Sequence, residues 1–344
     1  MGGLLVDNFK VNSKSGFYDV FFTDNIDMRS LGSHYIVDKN VYQSVKEFIN
    51  TDNVVLIDAT EEAKKFENIG PIIESLVLQN LKRDSKIVAI GGGITQDIVC
   101  FIASNYMRGI KWCFIPTTLL AQSDSCIGSK SSINFGNYKN LLGSFTPPNE
   151  VYISKKFLYT LNDLDVKSGL GEILKLHIIG GEKLDLNQVS LLNIDKYIFQ
   201  SLKIKQKFIE EDEFDRGVRN ILNYGHCVGH AIESATNFAI PHGISVAIGM
   251  DVVNRFSYDR GLISEDFYNE LREMISPLYK DFKDAKISID YVFRAQQKDK
   301  KNTVGKVNLV LPEGEEIKKI GFDNRIEFWN SLKESLKFVL SNAE

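Results

Sequence analysis

The sequence predicts the α/β fold class: a parallel sheet with crossover helices over residues 1–150, then a mainly α-helical half over 151–344. Three observations predict it. Short β-branched and aromatic runs alternate with helical patterns through the first ~120 residues. The triple-glycine turn Gly91-Gly92-Gly93 directly follows one such run and opens a helical pattern. Beyond Pro147-Pro148 the texture changes to long helical patterns.

The elements follow in order. Phe17 to Thr23, His34 to Val37, Val54 to Asp58, Lys86 to Ile90 and Trp112 to Ile115 read as strands. Between the third and fourth, Glu61 to Leu81 carries Phe66, Ile69, Ile73, Leu76 and Leu81 at helical spacing. Strand, helix, strand, glycine turn, helix, strand calls for crossover connections and hence parallel pairing. In the second half, Glu172 to Ile179, Leu192 to Glu211, Val218 to Ala235, His242 to Tyr258 and Ser264 to Leu278 read as helices. The apolar segment 309–312 and an amphipathic helix from Asn324 to Leu340 finish the chain. A domain boundary is expected near residue 150.

Composition narrows the function. With 344 residues, 43% hydrophobic and 25% charged, the chain has enough apolar side chain to offset the entropy of ordering, as a folded protein of about two domains must. Lys+Arg 41 against Asp+Glu 45 gives a net charge of −4, so no basic field exists to draw in nucleic acid or an anionic membrane. Its apolar runs fall short of the ~20 residues of a membrane span. The opening MGGLLVDNFK lacks the charged and apolar regions of a secretory leader, and position 6 is not Ser or Thr, so myristoylation is not expected. The four cysteines are widely spaced with no CxxC, which suggests reduced thiols in the cytoplasm and neither a disulfide framework nor a thiolate zinc site.

Several residues carry chemistry. Glycines at 91–93 let backbone approach a ligand closely, and the helix start beyond them, with Asp97, favours an anion such as a pyrophosphate. Asp38 and Asn40 end the run HYIVDKN, where they suit ribose hydroxyls or, equally, a strand-ending turn. Three of the five histidines fall within residues 226–242. His226 and His230, four apart, share one helix face, and His242 precedes another apolar helical run. Clustered imidazoles suggest a divalent metal, most plausibly zinc, with a carboxylate such as Glu172 of GLGEILK completing the set and Lys175 one turn away. Spacing alone leaves open which histidines ligate and which move protons. Arg108, Lys130, Lys139, Asn140, Lys205, Arg219 and Asn223 sit in otherwise apolar or glycine-rich stretches. Such groups suit a small anionic substrate bearing phosphate or carboxylate.

Taken together, GGGITQD, NYMRGI, IPTTLLAQSDS, YKNLLGSF, GLGEILK and LNYGHCVGHAIE…HGISVAIGM resemble 3-dehydroquinate synthase, of the sugar phosphate cyclase superfamily, from about residue 34 to 312. The resemblance implies a Rossmann-like NAD domain followed by a helical metal- and substrate-binding domain. It implies conversion of 3-deoxy-D-arabino-heptulosonate 7-phosphate (DAHP) to 3-dehydroquinate and phosphate in the shikimate pathway, with catalytic NAD and zinc or cobalt. Glu172, His226 and His242 would hold the metal, leaving His230 as an acid–base residue, with Asp215 and Lys175 also catalytic. Asp38, Asn40, Gly92, Gly93, Asp97, Thr117, Thr118, Asp124, Lys139, Thr160 and Ser168 match NAD-contacting positions, and Glu61 and Lys64 match more loosely. Arg108, Lys130, Asn140, Lys205, Arg219, Asn223 and Lys301 (or Lys300) match substrate positions. The Arg108 equivalent reaches across a homodimer interface in the family.

Against the family pattern, GGK-T becomes GSK-S with Ser129 and Ser131, Gln96 replaces a glycine, Asp215 replaces a glutamate and Ile244 replaces the glutamate of HGE. These changes touch the pocket and leave the ligands intact. They keep in play a related cyclase acting on sedoheptulose 7-phosphate. An NAD(P)- and metal-dependent polyol dehydrogenase of the same architecture is the second alternative.

Overall fold

The strand-forming runs of the first half assemble into one seven-stranded sheet. The computed structural model describes residues 7–136, 138–282, 287–288, 291–292 and 306–342. The sheet consists of β1 (Phe9–Ser13), β2 (Gly16–Phe22), β3 (His34–Asp38), β4 (Val54–Ile57), β5 (Lys86–Gly91), β6 (Lys111–Pro116) and β9 (Glu150–Ile153). Their order is β1-β2-β9-β6-β5-β3-β4. Only β1 and β2 run antiparallel; the remaining pairs are parallel, with Asp38 opposite Ile57 and Ile90 opposite Ile115. The centre of β5, Ile87 to Ile90, is wholly buried, as a strand covered on both faces must be. Val37, Val88, Ile90, Cys113 and Ile115 pack on one face with Met28, Leu31, Val45 and Ile49. A short hairpin, β7 (Ile133–Phe135) and β8 (Tyr138–Leu142), stands apart from the sheet.

Helices α1 (Met28–Leu31), α2 (Lys39–Val45), α3 (Ile69–Leu78) and α4 (Gly93–Asn105) link the strands. The helix expected over Glu61–Leu81 is shorter: Glu61–Lys64 and Phe66–Asn68 are 3-10 turns, and α-helix begins only at Ile69. Pro71 explains the late start, because proline is tolerated in a first turn, where its missing N–H has no partner to lose, and not deeper.

The chain divides into two compact units that interleave in sequence. One takes the chain up to Leu161 together with Ser190–Phe214; the other takes Asn162–Val189 and everything from Asp215. The single cut expected near residue 150 therefore falls earlier than the observed one and misses the return of α6 (Ile194–Glu211) to the first unit. Side chains of α6 explain the return. Phe199 packs edge-on against Phe9 and Phe22, Gln206 donates to the Lys10 carbonyl at 2.7 Å, and Glu210 accepts from the Asn12 amide. Glu213, just beyond the helix, accepts from the Lys14 backbone N–H at 2.7 Å.

The second unit holds α5 (Asp163–Ile179), α7 (His226–Ala235), α8 (His242–Asp259), α9 (Glu265–Ile275), the hairpin β10 (Lys306–Glu313) and β11 (Glu316–Asp323), and α10 (Ile326–Ser341). Asn162 caps α5 by accepting from the Asp165 N–H, and Asp163 and Asp165 favour its positive end. The helix expected over Val218–Ala235 is broken: a 3-10 turn spans Val218–Asn223, and Gly225, at φ 75°, precedes α7. A Cβ at Gly225 would also lie 2.7 Å from the Val246 carbonyl, so the interruption is built into the packing against α8. Among the described residues no helix is long and apolar enough to cross a membrane.

Candidate active site

In the second unit, one fully buried carboxylate and three imidazoles converge. Glu172 lies mid-way along α5, His226 and His230 one turn apart on α7, and His242 at the first position of α8. Gly171 and Gly243 let α5 and α8 meet: a Cβ on Gly243 would stand 1.8 Å from the Ser168 carbonyl. The Ser168 hydroxyl, expected to meet the cofactor, accepts from the Gly243 N–H at 2.9 Å and so fixes the start of α8 beside His242. Glu172 Oε1 is 3.3 Å from His242 Nε2 and 3.8 Å from His226 Nε2. The ring centres of His226, His230 and His242 are 5.2–5.6 Å apart.

The orientation of the rings follows from their other nitrogens. His226 Nδ1 lies 3.1 Å from the Tyr224 carbonyl and His242 Nδ1 lies 3.0 Å from Glu233 Oε2. A carbonyl and a carboxylate only accept, so Nδ1 carries the hydrogen in both rings and Nε2 is turned toward Glu172. Such outer partners are how proteins orient metal-binding imidazoles. Glu233 was not singled out from the sequence, although it lies three residues beyond His230 in GHAIE.

Electrostatics concentrates positive charge around Glu172. Burial pushes its carboxyl pKa up, but the Lys175 ammonium one turn away and His242 outweigh burial and hold it well below the carboxylate range. Burial disfavours a charged His242, yet Glu233 and Glu172 on its two nitrogens raise its pKa well above the ordinary imidazole value. A divalent cation in place of the Nε2 proton satisfies the same carboxylate. The donor set, one carboxylate oxygen and two or three imidazoles, is that of a zinc-type site. His226, His230 and His242 alone also bring donor atoms within 4.8 Å of one another. Upstream of α7, Arg219 is buried, Asp215 sits at φ 57° and accepts from the Asn220 amide at 3.0 Å, and Asn223 donates to the Asn220 carbonyl. Lys300 and Lys301 lie outside the described residues.

Of the expected nucleotide residues, the first unit places Asp38, Gly92, Gly93 and Thr117 at the C-terminal ends of the parallel strands β3, β5 and β6. Gly91 closes β5, and Gly92 leads into α4 with no side chain capping the first N–H groups. A Cβ at Gly92 would press on Thr118 at 3.0 Å. Thr117 is buried at the end of β6, and the Thr118 hydroxyl accepts from the Ala121 N–H. Lys64 Nζ is 2.7 Å from Asp97 Oδ2, and Glu61 accepts from the Asn134 amide at 2.8 Å with Lys139 3.5 Å away. Burial raises Asp97 to about 6 in spite of Lys64. For Glu61, Lys64, Asn134 and Lys139 overcome burial and leave the carboxyl below its usual value. Asp38 uses Oδ1 to cap α2, accepting from the Asn40 N–H at 2.9 Å, which is the turn role foreseen for it. Thr160 turns its hydroxyl to the Phe157 carbonyl.

Substrate-type residues of this unit fall in three places. Lys205 donates to the Asp124 carbonyl at 2.6 Å and pairs with Oδ1 at 2.7 Å. Asn140, at φ 52°, donates its backbone N–H to Asn134, while exposed Lys130 stands over the Phe145 ring. Arg108 is exposed at φ 66°, next to Met107 at φ 48°. Asn134 joins Glu61 to Asn140 and was not foreseen; its place in SSIN gives no catalytic signal.

The family models that match the chain divide it once, between residues 168 and 169, without the interleaving of the two units. Residues 54–168 match the family model described as 3-dehydroquinate synthase N-terminal, and 169–302 the one described as 3-dehydroquinate synthase C-terminal. The 3-dehydroquinate synthase of Alkaliphilus metalliredigens (strain QYMF) is 38% identical over 270 residues, 76% of each chain. That of Thermoanaerobacter sp. (strain X514) is 35% identical over 342 residues, 90% of this chain and 95% of its own. Among solved structures, 2-deoxy-scyllo-inosose synthase with carbaglucose-6-phosphate, NAD+ and Co2+ shares the fold at TM-score 0.82 and 22% identity, covering 96% of this chain and 99% of its own. The 2-epi-5-epi-valiolone synthase of Streptomyces hygroscopicus subsp. jinggangensis 5008, with NAD+ and Zn2+ bound, does so at 0.80 and 22%, covering 94% and 96%.

Proposed function

This chain belongs to the 3-dehydroquinate synthase family, and from that premise we propose that it cyclises DAHP to 3-dehydroquinate with release of phosphate, a carbon–oxygen lyase step of the shikimate pathway. The observation that carries the reading is the convergence of Glu172, His226 and His242, with both imidazoles turned by Tyr224 and Glu233. Those donors suit a divalent cation, zinc before cobalt, and the glycine turn at the open start of α4 suits the NAD pyrophosphate. When bound, these two groups supply Lewis acidity at a substrate hydroxyl and reversible acceptance of hydride.

The chain's own residues do the rest. Lys175 keeps Glu172 ionised inside an apolar interior. His230, on the same face of α7 as His226, holds or moves a proton at a substrate hydroxyl. Lys130, Asn140, Lys205, Arg219, Asn223 and Lys301 bind the phosphate and carboxylate ends, and Asp215 lies in the turn that delivers Arg219. Glu61, Lys64, Asp97, Lys139, Asp124, Thr117 and Thr118 face the cofactor. Fixing both ends of a substrate through several steps is entropy removed from each barrier. Exposed Arg108, on its left-handed turn, is offered to a second copy in a homodimer, and cysteines that form no disulfide suit the cytoplasm.

The test is turnover of DAHP with NAD+ and Zn2+. One phosphate released per DAHP, with no NADH accumulating, supports the reading. Turnover of sedoheptulose 7-phosphate with none of DAHP would move the assignment to a cyclitol-forming cyclase. Net NADH production would move it to a polyol dehydrogenase.

A further inference from the structure

Gln96 lies on the first turn of α4, one residue before Asp97, and is only 5% exposed. Its side-chain amide is committed to a single residue. Nε2 donates to the Ser125 carbonyl at 2.6 Å, and Oε1 accepts from the Ser125 hydroxyl at 2.6 Å. Ser125 ends a π-turn, Ala121–Ser125, closed by the Cys126 N–H on the Ala121 carbonyl at 3.0 Å. Turns of this kind are rare and are often kept where they aim a functional group. The group aimed here is Asp124, whose carbonyl and Oδ1 both grip Lys205 Nζ. A second buried glutamine secures the middle of the turn: Gln122 donates to the carbonyls of Pro116 at 3.0 Å and Ser154 at 2.8 Å.

We propose that Gln96 is a positioning residue for Lys205, acting through Ser125 and the π-turn that carries Asp124. The proposal rests on the reading of Lys205 as a substrate-binding cation. The Gln96 side chain bonds Ser125 through both its amide nitrogen and its amide oxygen. It sets where the ammonium stands, because a two-point clamp on Ser125 fixes the adjoining Asp124 carbonyl and carboxylate. A carboxylate cannot replace it, since one of its oxygens would face the Ser125 carbonyl with no hydrogen to give.

The experiment compares wild type with Gln96→Met, Gln96→Glu, Ser125→Ala and the Gln96→Met/Ser125→Ala double variant. In turnover of DAHP at saturating NAD+, Gln96→Met and Gln96→Glu raise KM about tenfold and leave kcat within about threefold, the mark of lost uniform substrate binding. A purely structural loss lowers the active fraction, hence kcat, and leaves KM in place. The double variant is no more than about twofold worse than Gln96→Met, because both changes break one clamp. KM unchanged in Gln96→Met, or full rescue by Gln96→Glu, would overturn the proposal. A second readout is independent of turnover: the 15N-labelled Lys205 ammonium gives a slowly exchanging resonance in wild type that Gln96→Met loses. If wild type fails to turn over DAHP, the functional reading falls, and persistence of that resonance in Gln96→Met would still decide against the clamp.

Discussion

His226, His230 and His242 are close enough for any of them to share a cation, so the division of work among them rests on orientation. Removing a ligand and removing a proton-moving group have different consequences. His226→Ala and Glu172→Gln should each weaken zinc binding by about a hundredfold or more in chelator competition, whereas His230→Ala should keep the metal and lose turnover. Equal loss of metal in His226→Ala and His230→Ala would refute that division. In the first unit, Asp97 titrates near pH 6, above the value of an unfolded aspartate. A raised carboxyl pKa contributes stability that is complete below the unfolded value and is lost as pH rises through the folded one. The difference in unfolding free energy between wild type and Asp97→Asn should therefore fall from about pH 4 to 6 and level off above, in urea titrations. The histidine cluster, Glu172 and Lys175 were legible in sequence because i, i+3 and i, i+4 spacing places residues on one helix face. Glu233 and Asn134 were not, since each acts only through a partner that the fold brings to it.

The second unit depends on glycines at helix contacts. Gly225 combines φ 75° with neighbours that leave no room: Met250 Cγ at 2.6 Å and the Val246 carbonyl at 2.7 Å from an added Cβ. Gly261, at φ 67°, has nothing within 4 Å. Gly225→Ala should cost about 3 kcal/mol in thermal or urea unfolding and Gly261→Ala only about 1 kcal/mol, the difference measuring packing against α8 apart from backbone strain. The helix over Val218–Ala235 was misread for the same reason. Apolar periodicity runs through Gly225 without a break, while its left-handed conformation is imposed by α8. The strands β3, β4, β5 and β6 were legible because buried parallel strands are near-continuous apolar runs. Strands β1 and β9 were missed: one is half polar, and the other opens on Glu150 directly after the turn-like stretch Pro147-Pro148-Asn149.

Across the whole chain, the motifs marked the family and the texture change marked two halves, but the interleaving of the units was hidden. Nothing in the periodicity of α6 says which core it joins; Phe199, Gln206 and Glu210 decide it by their partners on β1 and β2. Replacing Phe199 by Ala should destabilise the first unit by about 3 kcal/mol, with hydrogen exchange rising at the amides of β1 and β2. The chain-wide claim is that residues 172, 226 and 242, drawn from three helices, hold one catalytic cation and leave residue 230 to the proton. An anomalous diffraction map at the zinc edge, from crystals grown with Zn2+ and NAD+, tests it most directly. One peak is expected about 2.0–2.2 Å from Glu172 Oε1 and from Nε2 of His226 and His242, with His230 outside the coordination sphere. A peak bound by all three histidines, with Glu172 still paired to Lys175 alone, would contradict it.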